Sequence, residues 1–246
     1  RRGGDLEDIE LAQGLVALRI PALPQWYRSL AGAGQLEAVR NAGRAQVLIA
    51  QSKAREALAV YRELIGRSPS FPNLHLSHAA LLLQLQDPKA AEAELREELK
   101  VNPASVEARL RLCALLGDDS PEEMVALAEE AVKLDPGSFK AHFYLGKLLY
   151  KVDQLERSAR ELETSRELDP SSSMVRFALV RTYKSLGREA DAQRESAVFA
   201  RLREAEDSFR KSGRLPAWYF EPGGPGAAAS PHPRPAQVPA AQGGPR

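Results

Sequence analysis

Cysteine is almost missing from this sequence. With Cys113 alone in 246 residues, no intrachain disulfide can form, so packing and hydrogen bonds must hold any fold together. A single thiol fits a reducing compartment without fixing one. An excess of charge is missing too: 34 Lys and Arg nearly cancel 33 Asp and Glu, which argues against a nucleic-acid binder with its strong basic footprint. No stretch approaches the ~20 consecutive apolar residues that a membrane-spanning helix requires. The opening Arg1-Arg2-Gly3-Gly4 runs directly into Asp5, Glu7, Asp8 and Glu10, leaving no apolar secretory core there. No Met begins the chain, so a processed or truncated piece is expected. Its compartment stays open: cytoplasmic, or periplasmic if an export signal was removed upstream. What remains is a foldable composition, 43% hydrophobic and 27% charged.

Residues grouped for chemistry are equally scarce. A catalytic or metal centre needs several functional side chains converging in one pocket. The four histidines are His75, His78, His142 and His232. His75 and His78 stand three apart on one helix face, a spacing compatible with a metal, but no third ligand follows at matching spacing. Packing is the simpler reading for both, and for His142. Cys113 falls at a small-residue position and reads as a buried hydrophobe. Gly223-Gly224-Pro225-Gly226 follows no strand and lacks the spacing of a phosphate loop. The adjacent acids Glu97-Glu98 and Glu129-Glu130 read as solvated helix faces. The expectation is no catalytic residue, no metal, no cofactor, and no enzyme.

What the sequence does have is a period. Four prolines close similar phrases, Arg67-Ser68-Pro69, Val101-Asn102-Pro103, Leu134-Asp135-Pro136 and Leu168-Asp169-Pro170, at separations of 34, 33 and 34 residues. Proline lacks the amide donor of a helix and biases its predecessor away from helical geometry, so each marks a helix end. Nine or ten residues after the prolines come His78-Ala79, Leu112-Cys113, Leu145-Gly146 and Leu179-Val180. Three further on stand Leu82, Leu116, Leu149 and Tyr183. Twelve before the prolines lie Ala57, Ala91, Met124 and Ser158; eight before lie Tyr61, Leu95, Ala128 and Leu162. Small residues let helix backbones approach and large ones fill the grooves between them. The spacing therefore predicts helix pairs: Leu36–Ala50 with Lys53–Arg67, Pro72–Leu85 with Pro88–Val101, Ser105–Leu116 with Pro121–Leu134, Phe139–Lys151 with Gln154–Leu168, and Ser173–Leu186 with Arg188–Lys211.

This pattern resembles the tetratricopeptide repeat, a 34-residue helical hairpin; the nearest copy runs from Ala141-His142-Phe143-Tyr144-Leu145-Gly146 to Pro170. The resemblance implies an all-α, right-handed superhelical solenoid of about five antiparallel helix pairs with a long C-terminal capping helix. Its repeats would run over about 38–71, 72–104, 105–138, 139–172 and 173–206, within an array spanning 36–211. Two departures stand out. The bulky residue expected six after each proline is His75, Arg109, His142 or Arg176, so Leu74, Leu76, Phe143 and Phe177 are expected to supply the anchor. The third unit is one residue short, with Gly117 to Pro121 as an altered turn. Residues 1–35, with an amphipathic stretch from Asp5 to Ile20 and a short helix around Gln25 to Leu30, read as a partial repeat or cap over the first hairpin. The last helix carries Arg194, Glu195, Arg201, Arg203, Glu204, Glu206 and Asp207 on an outer, uncovered face. Residues 212–246, rich in Pro, Gly and Ala, read as a disordered tail, with Trp218-Tyr219-Phe220 either folding back onto the last helix, the favoured reading, or serving as an exposed docking motif.

The resemblance also implies a function: a scaffold that holds a protein or peptide in a groove lined by the first helix of each pair. Its groove positions fall on Val39, Ala42, Gln46 and Ile49; on Asn73, Leu76, Ala80 and Leu83; and on Glu107, Leu110 and Ala114. Farther along they fall on Lys140, Phe143, Lys147 and Tyr150, with Lys151 alongside, and on Met174, Phe177, Arg181 and Lys184. From these, Asn73, Leu76, Lys140, Phe143, Lys147, Tyr150, Lys151, Phe177, Arg181 and Lys184 are the candidate partner-binding residues. The basic and aromatic wall suits a peptide with acidic and apolar residues. The Lys and Asn clamp by which some members hold a chaperone's carboxylates is not reproduced. Two alternatives accompany this reading: a regulatory or substrate-presenting part of a larger enzyme or secretion or assembly complex, and self-association through an uncovered end.

Overall fold

The computed structural model describes residues 35–116 and 120–213, with residues 13, 14, 16, 17, 215 and 219 besides. Among the described residues there are ten full helices and no strand. They are α1 (Gln35–Ala50), α2 (Ala54–Arg67), α3 (Leu74–Gln84), α4 (Pro88–Val101), α5 (Val106–Leu115), α6 (Pro121–Leu134), α7 (Phe139–Lys151), α8 (Leu155–Leu168), α9 (Ser173–Ser185) and α10 (Glu189–Ser212). The chain is an all-α helical repeat solenoid whose boundaries lie within two residues of those read from the sequence. Expectations for residues 1–12 and 18–34, for the turn at 117–119 and for the tail beyond 219, as for Trp218, lie outside the described residues.

In four of the hairpins, those whose inner turn is among the described residues, that turn is built by one left-handed residue. Ser52, Gln86 and Asp153 have φ of 61°, 61° and 59°, and Gly187 has 69°. Each is followed by an amide that reaches back five residues: Lys53 to Leu48, Asp87 to Leu82, Gln154 to Leu149 and Arg188 to Tyr183, at 2.8–2.9 Å. This is the hydrogen bond that closes a Schellman-type helix end and satisfies a carbonyl the helix leaves open.

Starts of the first helices follow a second rule. Ser105, Ser138 and Ser172 each stand two after a proline and accept from the amides of Ala108, Ala141 and Val175, as a short hydroxyl at a helix start does. After Pro69 the same place holds Phe71, which has no oxygen to offer. There the cap comes from α4: the Glu98 carboxylate accepts from the Asn73 amide at 2.8 Å and from the Leu76 amide at 3.3 Å. Glu98 is 0% exposed, so the reading of Glu97-Glu98 as a solvated face is corrected for Glu98. Burial raises its pKa, and the two amides pull the other way.

By Cα proximity the chain divides into two compact units, one ending at Glu161 and the other beginning at Leu162. In the first unit Tyr61, Leu64, Leu74 and Leu81 pack around Ala38, Ala42, Ala45 and Ala57. Leu76, Leu82, Leu95 and Leu112 pack around Ala79, Ala91 and Ala108, and Cys113, Leu145 and Leu149 around Ala128. Each fully buried Leu contributes about 1.5–3 kcal/mol relative to exposure. The close helix approach is visible at Ser158, which is buried and donates to the Gly146 carbonyl at 2.7 Å. Cys113 is buried, and its thiol, donating to the Met124 carbonyl, has a pKa pushed up to about 12 by burial. In the second unit Leu162, Val175, Leu179, Tyr183, Ala192, Leu202 and Ala205 are buried.

Candidate functional site

Of the apolar neighbours expected to replace the missing bulky anchor, Leu74 and Leu76 are buried in the core while Phe143 is half-buried and Phe177 exposed; at the anchor position itself stands a polar device used three times. His75 places Nε2 3.2 Å from the Pro69 carbonyl and Nδ1 2.6 Å from Glu94 Oε2. His142 does the same with Pro136 at 3.0 Å and Glu161 at 2.7 Å. Arg176 donates to the Pro170 carbonyl at 3.3 Å and to Glu195 at 2.7 Å. In every case the carbonyl lies six residues back and the carboxylate nineteen ahead, so one basic side chain ties the first helix both to the preceding proline and to its own second helix. In the third hairpin the residue nineteen beyond Arg109 is Ala128. There Arg109 donates to the Ser105 carbonyl at 3.4 Å and finds no carboxylate at that place; its Nε, like that of Arg176, is buried without a hydrogen bond.

Electrostatics at the first clamp follow from its geometry. The Pro69 carbonyl and the Glu94 carboxylate both accept, so an imidazole that serves both carries both protons. Its pKa is raised, first by the Glu94 hydrogen bond and against the effect of burial. Burial would lift Glu94, but His75 and His78 outweigh it and hold its pKa at about 2. His78 contributes by proximity, with Nδ1 3.2 Å from Oε1 but not aligned as a hydrogen bond, and its ring lies 5.9 Å from Tyr61. Among the described residues no group of three or more His, Cys, Asp or Glu is placed to hold a metal ion. In the second unit Glu195 is buried and also accepts from Arg166 at 2.7 Å, which corrects its placement on an uncovered outer face. Glu206, read on the same face, accepts from Ser173.

Because the clamp turns His142 inward, its neighbours on α7 turn out. Lys140, Phe143, Lys147 and Tyr150 recur at three- or four-residue steps and form one stripe. Lys140, Lys147 and Lys151 are exposed; Phe143, Tyr144 and Tyr150 are half-buried. The Lys147 ammonium lies 5.5 Å from the Phe143 ring centroid and 5.7 Å from that of Tyr144, while the two rings meet edge to face at 6.0 Å. The cation is thus held over an aromatic pair by attraction to the π-faces, still open to solvent. In the second unit Phe177 is 49% and Met174 63% exposed, the Phe177 ring stands 5.7 Å from Phe199, and Arg181 and Lys184 are exposed.

Two candidates of the second hairpin take other roles. Leu76 is 3% exposed and lies in the core, which removes it from the surface set. Asn73 sits in a left-handed conformation at the start of α3, φ 64°, and its amide is spent on Glu98. Val39 and Ala42 are fully buried as well. Tyr144 and Phe199 join the aromatic surfaces without having been candidates; the Phe143-Tyr144 pair three residues ahead of Lys147 was the available signal for the first.

No curated protein matches the sequence. A family model described as tetratricopeptide repeat matches residues 43–98 and again residues 76–139. Solved structures share the fold at low identity. MamA superposes with a TM-score of 0.60 at 14% identity, over 67% of this chain and 96% of that one. MamA from Desulfovibrio magneticus RS-1, residue 41 to the end, gives 0.57 at 22%, over 70% and 96%. YrrB, described as a TPR protein with an unusual peptide-binding site, gives 0.59 at 15%, over 77% and 98%. Hairpins in a 34-residue register, small residues where their helices touch, and a family model that fits twice in overlapping frames have one common explanation: residues 43–139 are tetratricopeptide repeats, set in a chain with the helical-repeat fold.

Proposed function

We propose that the chain is a protein-interaction scaffold that binds a peptide segment bearing acidic and apolar residues along the exposed faces of its first helices. The observation that carries this is the α7 stripe, where Lys147 is poised over Phe143 and Tyr144 between the exposed Lys140 and Lys151. An aromatic pair offers area for an apolar side chain at low entropic cost, and lysines on either side offer charge to carboxylates. Phe177 and Met174, with Arg181 and Lys184 on the same helix, repeat that chemistry in the second unit. YrrB shares the fold and has a peptide-binding site, which supports the reading. Residues 36–211 are the array in this proposal. Asn73 keeps only a marginal part in it, and Leu76 none.

A peptide display screen on the full chain tests this directly. Selected ligands should combine Asp or Glu with aromatic or aliphatic residues. Their affinity should fall about tenfold or more, about 1.4 kcal/mol, in Lys147→Glu and in Phe143→Ala, and should weaken with salt. Arg181→Glu probes the second unit in the same way. Ligands that bind all three variants as well as the parent would remove these surfaces from the site.

A further inference from the structure

The third hairpin is held together differently from its neighbours. Counted back from the proline that follows, the clamp carboxylates Glu94 and Glu161 stand nine residues ahead of Pro103 and Pro170. Nine ahead of Pro136 stands Leu127, because this hairpin is one residue short. Arg109 therefore meets an apolar side chain where His75 and His142 meet a carboxylate. Glu130, three residues on and on the same helix face, feels the Arg109 charge, but its pKa is lowered first by the hydrogen bond from Lys133, whose ammonium lies at 2.6 Å. Eight before the prolines, Tyr61, Leu95 and Leu162 are large and fully buried, whereas Ala128 takes that place in α6. With ten residues, α5 is also the shortest of the ten helices, and it ends at Leu116 in extended backbone, φ −62° and ψ 130°.

What ties α6 to the second helices beside it is charge at the surface. Arg96 of α4 donates to Glu123 at 2.6 Å and Arg157 of α8 to Glu129 at 2.7 Å, with side chains 36–43% exposed. Apolar contacts resist separation but have no direction, so they permit small rotations. A hydrogen-bonded clamp fixes an angle, because such bonds weaken steeply once misaligned. Without the clamp, the angle of α6 is left to two ion pairs that salt screens. We propose that the third hairpin is a joint within the first unit, where α4 and the start of α8 change their mutual angle, and that ionic strength sets its stiffness through Arg96–Glu123 and Arg157–Glu129. At low salt the pairs hold α6 to both neighbours; at high salt the joint loosens and the flanking hairpins take up a range of spacings. The inference goes beyond the peptide reading, and none of these residues belongs to the α7 stripe.

The test uses the full chain with spin labels at Lys89→Cys on α4 and Glu156→Cys on α8, both exposed; Cys113 is buried and its thiol, raised to about 12, keeps clear of the label. Label-to-label distances are read by pulsed electron paramagnetic resonance at about 0.1 M and about 1 M salt. The distribution should broaden at the higher salt. With Arg96→Gln and Arg157→Gln added, it should be broad at both. A second arm restores the clamp: Leu127→Glu gives Arg109 a carboxylate, and Leu127→Gln loses the same apolar contacts without adding charge. Amides of α5 should exchange at least about tenfold more slowly in Leu127→Glu than in Leu127→Gln, and adding Arg109→Gln should abolish the difference. A distance distribution unchanged by salt would overturn the inference, as would equal protection of α5 in the two Leu127 variants. If those variants lose their helix content by circular dichroism, the salt comparison decides alone.

Discussion

Replacing Glu94 with Gln keeps the size of the side chain and removes the charge that faces His75 and His78. The lost interaction is a hydrogen bond of 2.6 Å between charged partners, of a class contributing about 1.5–3 kcal/mol. The Glu94 side chain is 23% exposed while that of His75 is 8%, so solvent screens the pair only partly and about 2 kcal/mol is the reasonable figure. At about 2–4 °C per kcal/mol for a chain of this size, the thermal midpoint should fall by about 4–8 °C. The pH dependence then has a definite sign. His75 is held above its ordinary 6.5, so its contribution is complete below pH 6.5 and is lost as pH rises through the folded value. Glu94 is held at about 2 against an ordinary 4.5, so its contribution is complete above pH 4.5 and is lost as pH falls toward 2. Glu98, which also faces His75, is buried and supports the charged ring. The gap between parent and Glu94→Gln should therefore be widest between pH 4.5 and 6.5 and narrower at about pH 8.5. Calorimetric midpoints across that range check it. A gap that stays constant to alkaline pH, or a variant as stable as the parent at about pH 5.5, would refute the account of the clamp.

Two further outcomes follow from the packing. Ser158→Leu forces a branched side chain between α7 and α8 where Ser158 touches the Gly146 carbonyl; it should cost about 1–3 kcal/mol, while Ser158→Ala should cost about 1 kcal/mol, both read from thermal midpoints. The third hairpin, whose Arg109 has no carboxylate nineteen residues on, should open more readily than the fourth, so amides of α5 should exchange hydrogen faster than those of α7. Equal protection of the two helices would count against the clamp as a stabilising device.

The helices and their pairing were legible because their cues are local and periodic: a proline every thirty-three or thirty-four residues, and alanine, serine or glycine where helices meet. Ser105, Ser138 and Ser172 are also local, since a cap reaches only three residues. What escaped was polar and non-local. Nothing near Glu98 says that it caps α3, because the need arises from Phe71, twenty-seven residues earlier, standing where serine stands elsewhere. Glu195 looked like one charge among many on a long helix, yet Arg166 and Arg176 converge on it from other helices. The clamp did leave a trace, since His75, His142 and Arg176 each have Glu nineteen residues ahead. That trace acquires meaning only once the two helices are known to fold back on each other.

The proposed binding surface was legible to a different degree for each hairpin, and the reason is register. The repeat family assigns certain positions of a first helix to the groove, so Lys140, Phe143 and Lys147 could be read as outward from the resemblance. Register does not say what else lies over those positions. On α1 and α3 the same places hold Val39, Ala42, Gly43, Leu76 and Ser77, small or apolar residues that suit contact with more protein. On α7 they hold aromatic and basic residues that suit solvent and a charged partner. The fold therefore supplies one lattice of positions, and the choice of side chain at each place decides whether the chain covers it or leaves it open. For this protein, specificity is best sought where the repeat is broken by large or charged residues on the outward face.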